Sequence, residues 1–187
     1  MRLGIFGGTF DPPHLGHLIA AQDASAQLRL DRLVFVPASI QPLKGAAGLA
    51  SASDRAAMVE LLAGADPRFS VDRMEIDRGG LSFMVDTLRE FRKRWPDADV
   101  DLVLLLGADA AEQFDKWKEP DAIRSLATVA VLTRGASAPK PGFELVPSRR
   151  VDVSSTEIRE RVRAGKAIHG LVPQAVADYI ARHGLYQ

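Results

Sequence analysis

Histidine is scarce in this chain: there are 4 in 187 residues, and two of them, His14 and His17, stand three apart in GIFGGTFDPPHLGH at residues 4–17. At a helix start, that spacing puts both rings on one face. Imidazoles placed there can pair with phosphate oxygens and offset charge that develops in a transition state. Gly7 and Gly8 come directly after a short apolar run. Glycine lets backbone N–H groups approach a phosphate, and the start of a following helix adds partial positive charge. A plain strand-to-helix turn would use the same two glycines, and the spacing is neither a Walker A loop nor G-x-G-x-x-G. Zinc binding is another use for paired histidines. A zinc site asks for a third ligand, commonly cysteine, and this chain has no Cys.

A second cluster lies far along the chain, in SSTEIRER at residues 154–161. Ser154 with Glu157 fits the capping box S-x-x-E, which marks a helix start. Ser154, Ser155 and Thr156 then put three hydroxyls at the positive end of that helix, and Arg159 adds a cation one turn on. Together they make a cradle for a triphosphate. A capping box alone also starts many helices that bind nothing.

The elements that must position these residues alternate. Apolar runs predict strands at 2–6, 31–37, 69–76, 100–107, 128–133 and 149–153. Between and after them, helices are predicted from near His14, at 53–64, 83–95, 109–116, 119–126, 155–164 and 173–183. The nearly unbroken apolar run VDLVLLLG (100–107) reads as a strand buried on both faces. The alternation predicts an α/β fold, a doubly wound parallel sheet with helices on both faces. In such sheets ligands bind beyond the carboxyl ends of the strands, at the point where strand order reverses. The length suits one domain over 1–187, with the helical part at about 154–187 packing on the same core. Lys+Arg and Asp+Glu balance at 24 each, so there is no overall positive field to hold nucleic acid. Without cysteine, disulfides and thiolate chemistry are excluded. No signal-peptide run and no bilayer-spanning stretch is present, so a cytoplasmic protein without a membrane partner is expected.

GGTFDPPHLGH closely resembles the signature of the HxGH nucleotidyltransferases, with His14-Leu15-Gly16-His17 as the tetrad. VSSTEIR at 153–159 is similar to the second signature of that family, ISSTxxR. The resemblance implies a Rossmann-like fold and transfer of a nucleotidyl group from a nucleoside triphosphate to a phosphate or phosphonate acceptor. It implies that His14 and His17 hold the triphosphate and stabilise charge at the α-phosphorus. It also places Gly7, Gly8, Thr9, Phe10, Ser154, Ser155 and Thr156 at ATP, with Arg159 as a further catalytic cation.

Other stretches resemble the nicotinate-nucleotide adenylyltransferase branch. GADAAEQFDKW (107–117) is similar to its GxDxxxxxxxW segment, which implies Gly107 and Asp109 near the ATP ribose and Trp117 stacked on the pyridine. Helix capping by Asp109 and a core position for Trp117 are the other uses of these residues. GGLSFMVDTL (79–88) resembles the GxSYTxDTL loop, whose backbone amides receive the nicotinate carboxylate. That implies Ser82, Phe83, Met84 and Thr87 at the acceptor, with Phe83 in place of Tyr and Met84 in place of Thr. VPASIQPLK (36–44) resembles IPANxPPHK, with Leu43 in place of His, and implies Lys44 as a catalytic, phosphate-facing cation also at the acceptor. VLTRG (131–135) implies Arg134 near the adenosine. The implied reaction is adenylyl transfer from ATP to nicotinate mononucleotide, giving deamido-NAD and pyrophosphate. Mg²⁺ is expected to bridge phosphate oxygens, held by substrate and water rather than by a protein metal site. The implied partners are these small molecules, and a homodimer is allowed. The same chemistry on nicotinamide mononucleotide or phosphopantetheine, or a non-catalytic nucleotide-binding domain, are the alternatives.

Overall fold

Alternating apolar side chains give this sheet two buried faces. The computed structural model describes residues 1–43, 50–96, 100–133 and 142–187. Its strands are β1 (Arg2–Gly8), β2 (Arg32–Pro37), β3 (Phe69–Val71), β4 (Asp101–Gly107), β5 (Thr128–Thr133) and β6 (Glu144–Pro147). They form one 6-stranded sheet in the order β3-β2-β1-β4-β5-β6, and every neighbouring pair is parallel. The helices are α1 (Leu15–Gln27), α2 (Ala52–Ala63), α3 (Met74–Arg78), α4 (Met84–Arg94), α5 (Ala108–Glu112), α6 (Pro120–Leu126), α7 (Ser155–Arg163) and α8 (Gln174–Arg182). None of those described is long and apolar enough to cross a membrane.

On β4, Leu102, Leu104 and Leu106 share a cluster with Val85, Leu88 and Phe91 of α4 and Ile123 of α6. Val103 and Leu105 face the other way, toward Ala21 and Ala24 of α1, Val59 and Leu62 of α2, Ile158 of α7, and Val176 and Ile180 of α8. This is the period-two alternation of a strand covered on both sides. The chain fills one side of β1 with β2 and β3, then returns to add β4, β5 and β6 on the other. Strand order therefore reverses between β1 and β4, whose carboxyl ends are Gly8 and Gly107.

The structure corrects two of the predicted strands. The run 69–76 is a strand only as far as Val71. The Asp72 side chain then accepts from the Met74 N–H at 2.9 Å, turning the chain into α3, where Met74 and Glu75 are buried. The sixth strand is Glu144–Pro147 rather than 149–153. Its last pair is Thr133 with Pro147, so β5 has ended before 149–153 is reached, and Arg149 instead binds Asp23 of α1 at 2.7 Å. The helix predicted at 109–116 is divided into α5 and a 3₁₀ turn at Phe114–Lys116.

Leu104 is fully buried in the middle of the sheet. Leu104→Ala should cost about 2–5 kcal/mol in a urea titration, the usual range for a leucine truncated in a core. A loss well under 1 kcal/mol (about the noise of additive surface changes) would mean that β4 is not enclosed on this face.

Candidate functional site

A cleft of about 880 Å³ opens at the carboxyl ends of β1 and β4, lined by Gly7, Gly8 and Gly107 among others. It stands where strand order reverses, as expected for an open α/β sheet.

The first wall is the β1–α1 turn. Thr9, Phe10, His14 and His17 all border the cleft. His14 is the N-cap of α1 in extended backbone geometry, and the Leu15 N–H that follows donates to the Leu171 carbonyl at 2.9 Å. The His14 and His17 rings stand 3.8 Å apart, centroid to centroid. The His14 backbone N–H donates to Nδ1 of His17 at 3.2 Å. An accepting Nδ1 carries no proton, so in the neutral ring Nε2 holds it and is the donor. Phe10 sits at φ 51 and sets its ring edge-on to His17 at 5.0 Å. Two glycines make room for these rings. A Cβ on Gly8 would lie 2.8 Å from Cζ of Phe10, and one on Gly16 would lie 2.9 Å from Nδ1 of His14. The glycine inside the tetrad is therefore what admits the first histidine ring.

The second wall is the start of α7. Ser154 caps it, its Oγ accepting from the Glu157 N–H at 3.1 Å. The Ser155 hydroxyl donates to the Pro12 carbonyl at 2.8 Å. Arg159 donates from Nη1 to the Asp11 carbonyl at 2.6 Å and from Nη2 to Oγ1 of Thr156 at 3.3 Å, while Nη1 stands 3.6 Å from Oδ2 of Asp11. All four residues border the cleft, and two of them are also the bolts that fasten this wall to the first. The sequence reading treats the hydroxyls as equivalent. In the structure, Ser155 spends its proton on Pro12, whereas Ser154 and Thr156 act as acceptors and keep theirs.

The third wall joins the β2 exit to the entry of α4. Ile40 N–H donates to Gly80 O at 3.2 Å and Ser82 N–H to Ile40 O at 2.9 Å, and Oγ of Ser82 accepts from the Ser39 N–H at 2.9 Å. Ser82, Phe83 and Met84 border the cleft, as do Asp109 and Trp117 across from them. Thr87 does not. It is fully buried, and its hydroxyl donates to Oε1 of Glu75, which itself borders the cleft. Burial pushes the Glu75 carboxyl above the usual carboxylate range, against the pull of hydrogen bonds from Thr87 and Ser82. Trp117 is half-buried and leans on Phe114, centroids 5.5 Å apart, so it is packed and cleft-facing at once. Lys44 and Arg134 lie outside the described residues.

Three more residues that sequence reasoning passed over complete the site. Arg55 is 2% exposed and donates to the carbonyls of Thr9, Ser39 and Ala50 at 2.7, 2.9 and 3.2 Å. Burial pulls its guanidinium below its usual value, opposed by Asp11. Asp11, 1% exposed, accepts at Oδ1 from the Ala50 N–H at 3.0 Å and the Tyr186 hydroxyl at 2.8 Å. Lys118 lies over the Phe83 ring at 4.8 Å and borders the cleft. Only Arg55 left a trace in the sequence, as a charge at helical spacing with the buried Met58, Val59 and Leu62.

The chain matches the model of the cytidylyltransferase-like family over residues 5–161. It is 50% identical over 200 residues to a protein of Gemmatimonas aurantiaca named "Probable nicotinate-nucleotide adenylyltransferase", covering 100% of this chain and 93% of that one. A protein of the same name from Thermus thermophilus is 45% identical, with 100% of both chains covered. Among solved structures, the nicotinic acid mononucleotide adenylyltransferase of Plasmodium falciparum complexed with NaAD has the same fold, with a TM-score of 0.81 at 18% identity, covering 99% of this chain and 97% of that one.

The buried acid gives the site a signature in stability. Above its ordinary value of 4.5, the unfolded chain releases the Glu75 proton before the folded one does. The folded state then binds more protons, and stability falls as pH rises toward the folded-state value. Glu75→Gln is neutral throughout, so its stability relative to wild type should improve as pH rises above 4.5. Urea titrations across that range check it. A difference that does not change with pH would mean that Glu75 is not held in its acid form by burial.

Proposed function

The chain belongs to the nicotinate-nucleotide adenylyltransferases of the cytidylyltransferase-like family, and from that premise we propose that it transfers the adenylyl group of ATP to nicotinate mononucleotide, releasing pyrophosphate and deamido-NAD. The observation that carries this reading is the docking of the α7 start onto the β1–α1 turn. Ser155 meets Pro12 across 143 residues of sequence, so the histidine pair and the hydroxyl-rich helix start stand on adjoining walls of one cleft. In keeping with that docking, residues 1–187 act as one domain, since Ile158, Val176 and Ile180 belong to the core of the sheet.

A phosphate oxygen of the acceptor attacks the α-phosphorus in line. The new P–O bond forms as the bond to the bridging oxygen breaks, and pyrophosphate leaves with that electron pair. An ionised phosphate needs no general base, so catalysis is positioning and charge stabilisation. His17 offers its Nε2–H to a phosphate oxygen, with His14 beside it. The remaining N–H groups of Arg159, the hydroxyls of Ser154 and Thr156 and the cation of Lys44 meet the triphosphate. Gly107 and Asp109 stand at the ribose, with Arg134 toward the adenine. Magnesium arrives with ATP as part of the substrate. Phosphate oxygens and water would be its ligands.

The acceptor carboxylate is met at the start of α4. Ser82 has already spent its N–H on Ile40. The first helical amides, Met84 and Val85, have no acceptor within the helix, and the positive helix end favours an anion. Trp117 stacks on the pyridinium ring.

Pyrophosphate release from ATP, measured against nicotinate mononucleotide, nicotinamide mononucleotide and phosphopantetheine, tests the assignment. The nicotinate acceptor should lead in kcat/KM by about a hundredfold, since a carboxamide NH₂ finds no acceptor at these donors. Equal efficiencies would overturn the acceptor assignment. Release with none of them would leave a nucleotide-binding domain without this activity. Gly16→Ala tests the histidine geometry separately. Alanine suits a helix better than glycine, which offsets part of the cost of moving the buried His14 ring, so the variant should fold with at most a modest drop in melting temperature. Because its methyl displaces the His14 ring, kcat should drop about tenfold to a hundredfold. A kcat at the wild-type level would remove His14 from the reaction.

A further inference from the structure

The segment after α8 reaches into the phosphate side of the site. Gly184 at φ 59 and Tyr186 at φ 66 both adopt left-handed backbone, a conformation that costs a tyrosine energy and is kept only where contacts hold it. Leu185 and Tyr186 pack against the core, and the Tyr186 hydroxyl donates to Oδ1 of Asp11 at 2.8 Å, 175 residues away in sequence. Tyr186 does not border the cleft, but Asp11 and Arg159 do.

Asp11 is a buried carboxylate beside a cation that the triphosphate also needs. Its Oδ1 is satisfied by Tyr186 and by the Ala50 N–H at 3.0 Å. Its Oδ2 stands 3.6 Å from Nη1 of Arg159, longer than a hydrogen bond. The close bond of that nitrogen goes instead to the Asp11 carbonyl at 2.6 Å. From this geometry we infer that Tyr186 is a positioning residue. By holding Oδ1, it keeps the carboxylate from drawing the guanidinium into a tight pair, so that Arg159 stays presented to the triphosphate. Burial and the Asp11 charge push the Tyr186 phenol above its ordinary range, so it remains a donor at neutral pH.

This inference rests on the ATP reading above, and its test is direct ATP binding, which needs no acceptor. Calorimetry is run on wild type, Tyr186→Phe, Arg159→Ala and the double variant. Phenylalanine keeps the ring and its packing, and thermal melts confirm that the variant is folded. Tyr186→Phe should weaken ATP about tenfold, the scale of one hydrogen bond to a charged group, while leaving KM for the mononucleotide acceptor unchanged. In the Arg159→Ala background, Tyr186→Phe should add nothing. Wild-type affinity in Tyr186→Phe, or losses that add in the double variant, would overturn the positioning role while leaving the proposed reaction intact. A wild-type protein that does not bind ATP would overturn both.

Discussion

One buried guanidinium holds the walls of the cleft together. Arg55 is almost wholly inaccessible, and a charge taken out of water is costly unless its hydrogen bonds are made. Here its fork meets three carbonyls on two loops: Thr9 after β1, and Ser39 and Ala50 near the two ends of the β2–α2 connection. Arginine suits this use because its five donors leave a rigid plane at fixed angles, which a lysine ammonium cannot imitate. Fixing Thr9 fixes Phe10, whose left-handed backbone and ring set the face of His17. Fixing Ser39 fixes Ser82 and, through it, the Glu75–Thr87 pair beneath α4. The nucleotide half and the acceptor half of the site therefore depend on one side chain that touches neither substrate in the proposed reaction.

That dependence also explains what could be read from the sequence. The sheet was legible because β4 and β5 are apolar runs long enough to need cover on both faces, and burial alone decides such segments. The ends of β3 and β6 were not. A strand stops where its neighbour stops or where a side chain turns the backbone, and neither the Thr133–Pro147 limit nor the Asp72 turn is an apolar pattern. The site divides in the same way. The histidine tetrad and the capped start of α7 each lie in a few consecutive residues, so their spacing together with the family resemblance marks them as candidates. Asp11, Arg55 and Tyr186 act through hydrogen bonds that reach as far as 46 and 175 residues along the chain. In the sequence they are a loop aspartate, one charge on an apolar helix face and a tyrosine near the end of the chain.

Within each motif, the residues divide between holding and working. Ser155, Ser82 and Thr87 are tied into the scaffold by their hydroxyls, and fixed supports of this kind leave less reorganisation to be made when charge moves. The His14 N–H to His17 Nδ1 bond does the same for a proton. It selects the neutral tautomer with its proton on Nε2, the donor that the proposed reaction asks of this ring.

The same division governs the choice of acceptor. Met84 brings no hydroxyl, and a Cβ on Gly7 would stand 2.5 Å from its Cε, so its thioether closes the floor between the glycine turn and α4. Phe83 carries the Lys118 ammonium over its ring, and Asp86 pairs with that ammonium at 3.0 Å, so the side chain is held in place but its charge is largely offset. Glu75 borders the same space. Ionised and free, it would repel a carboxylate and welcome a carboxamide. In the structure it is buried, receives the Thr87 and Ser82 hydroxyls, and is pushed toward its acid form. The acidic group that would reverse the preference is thus buried, pushed up by desolvation, and has its oxygens engaged by the hydroxyls that hold the loop. What faces the pyridine substituent in the proposed reaction is a positive helix end with unspent amides, a surface that matches an anion.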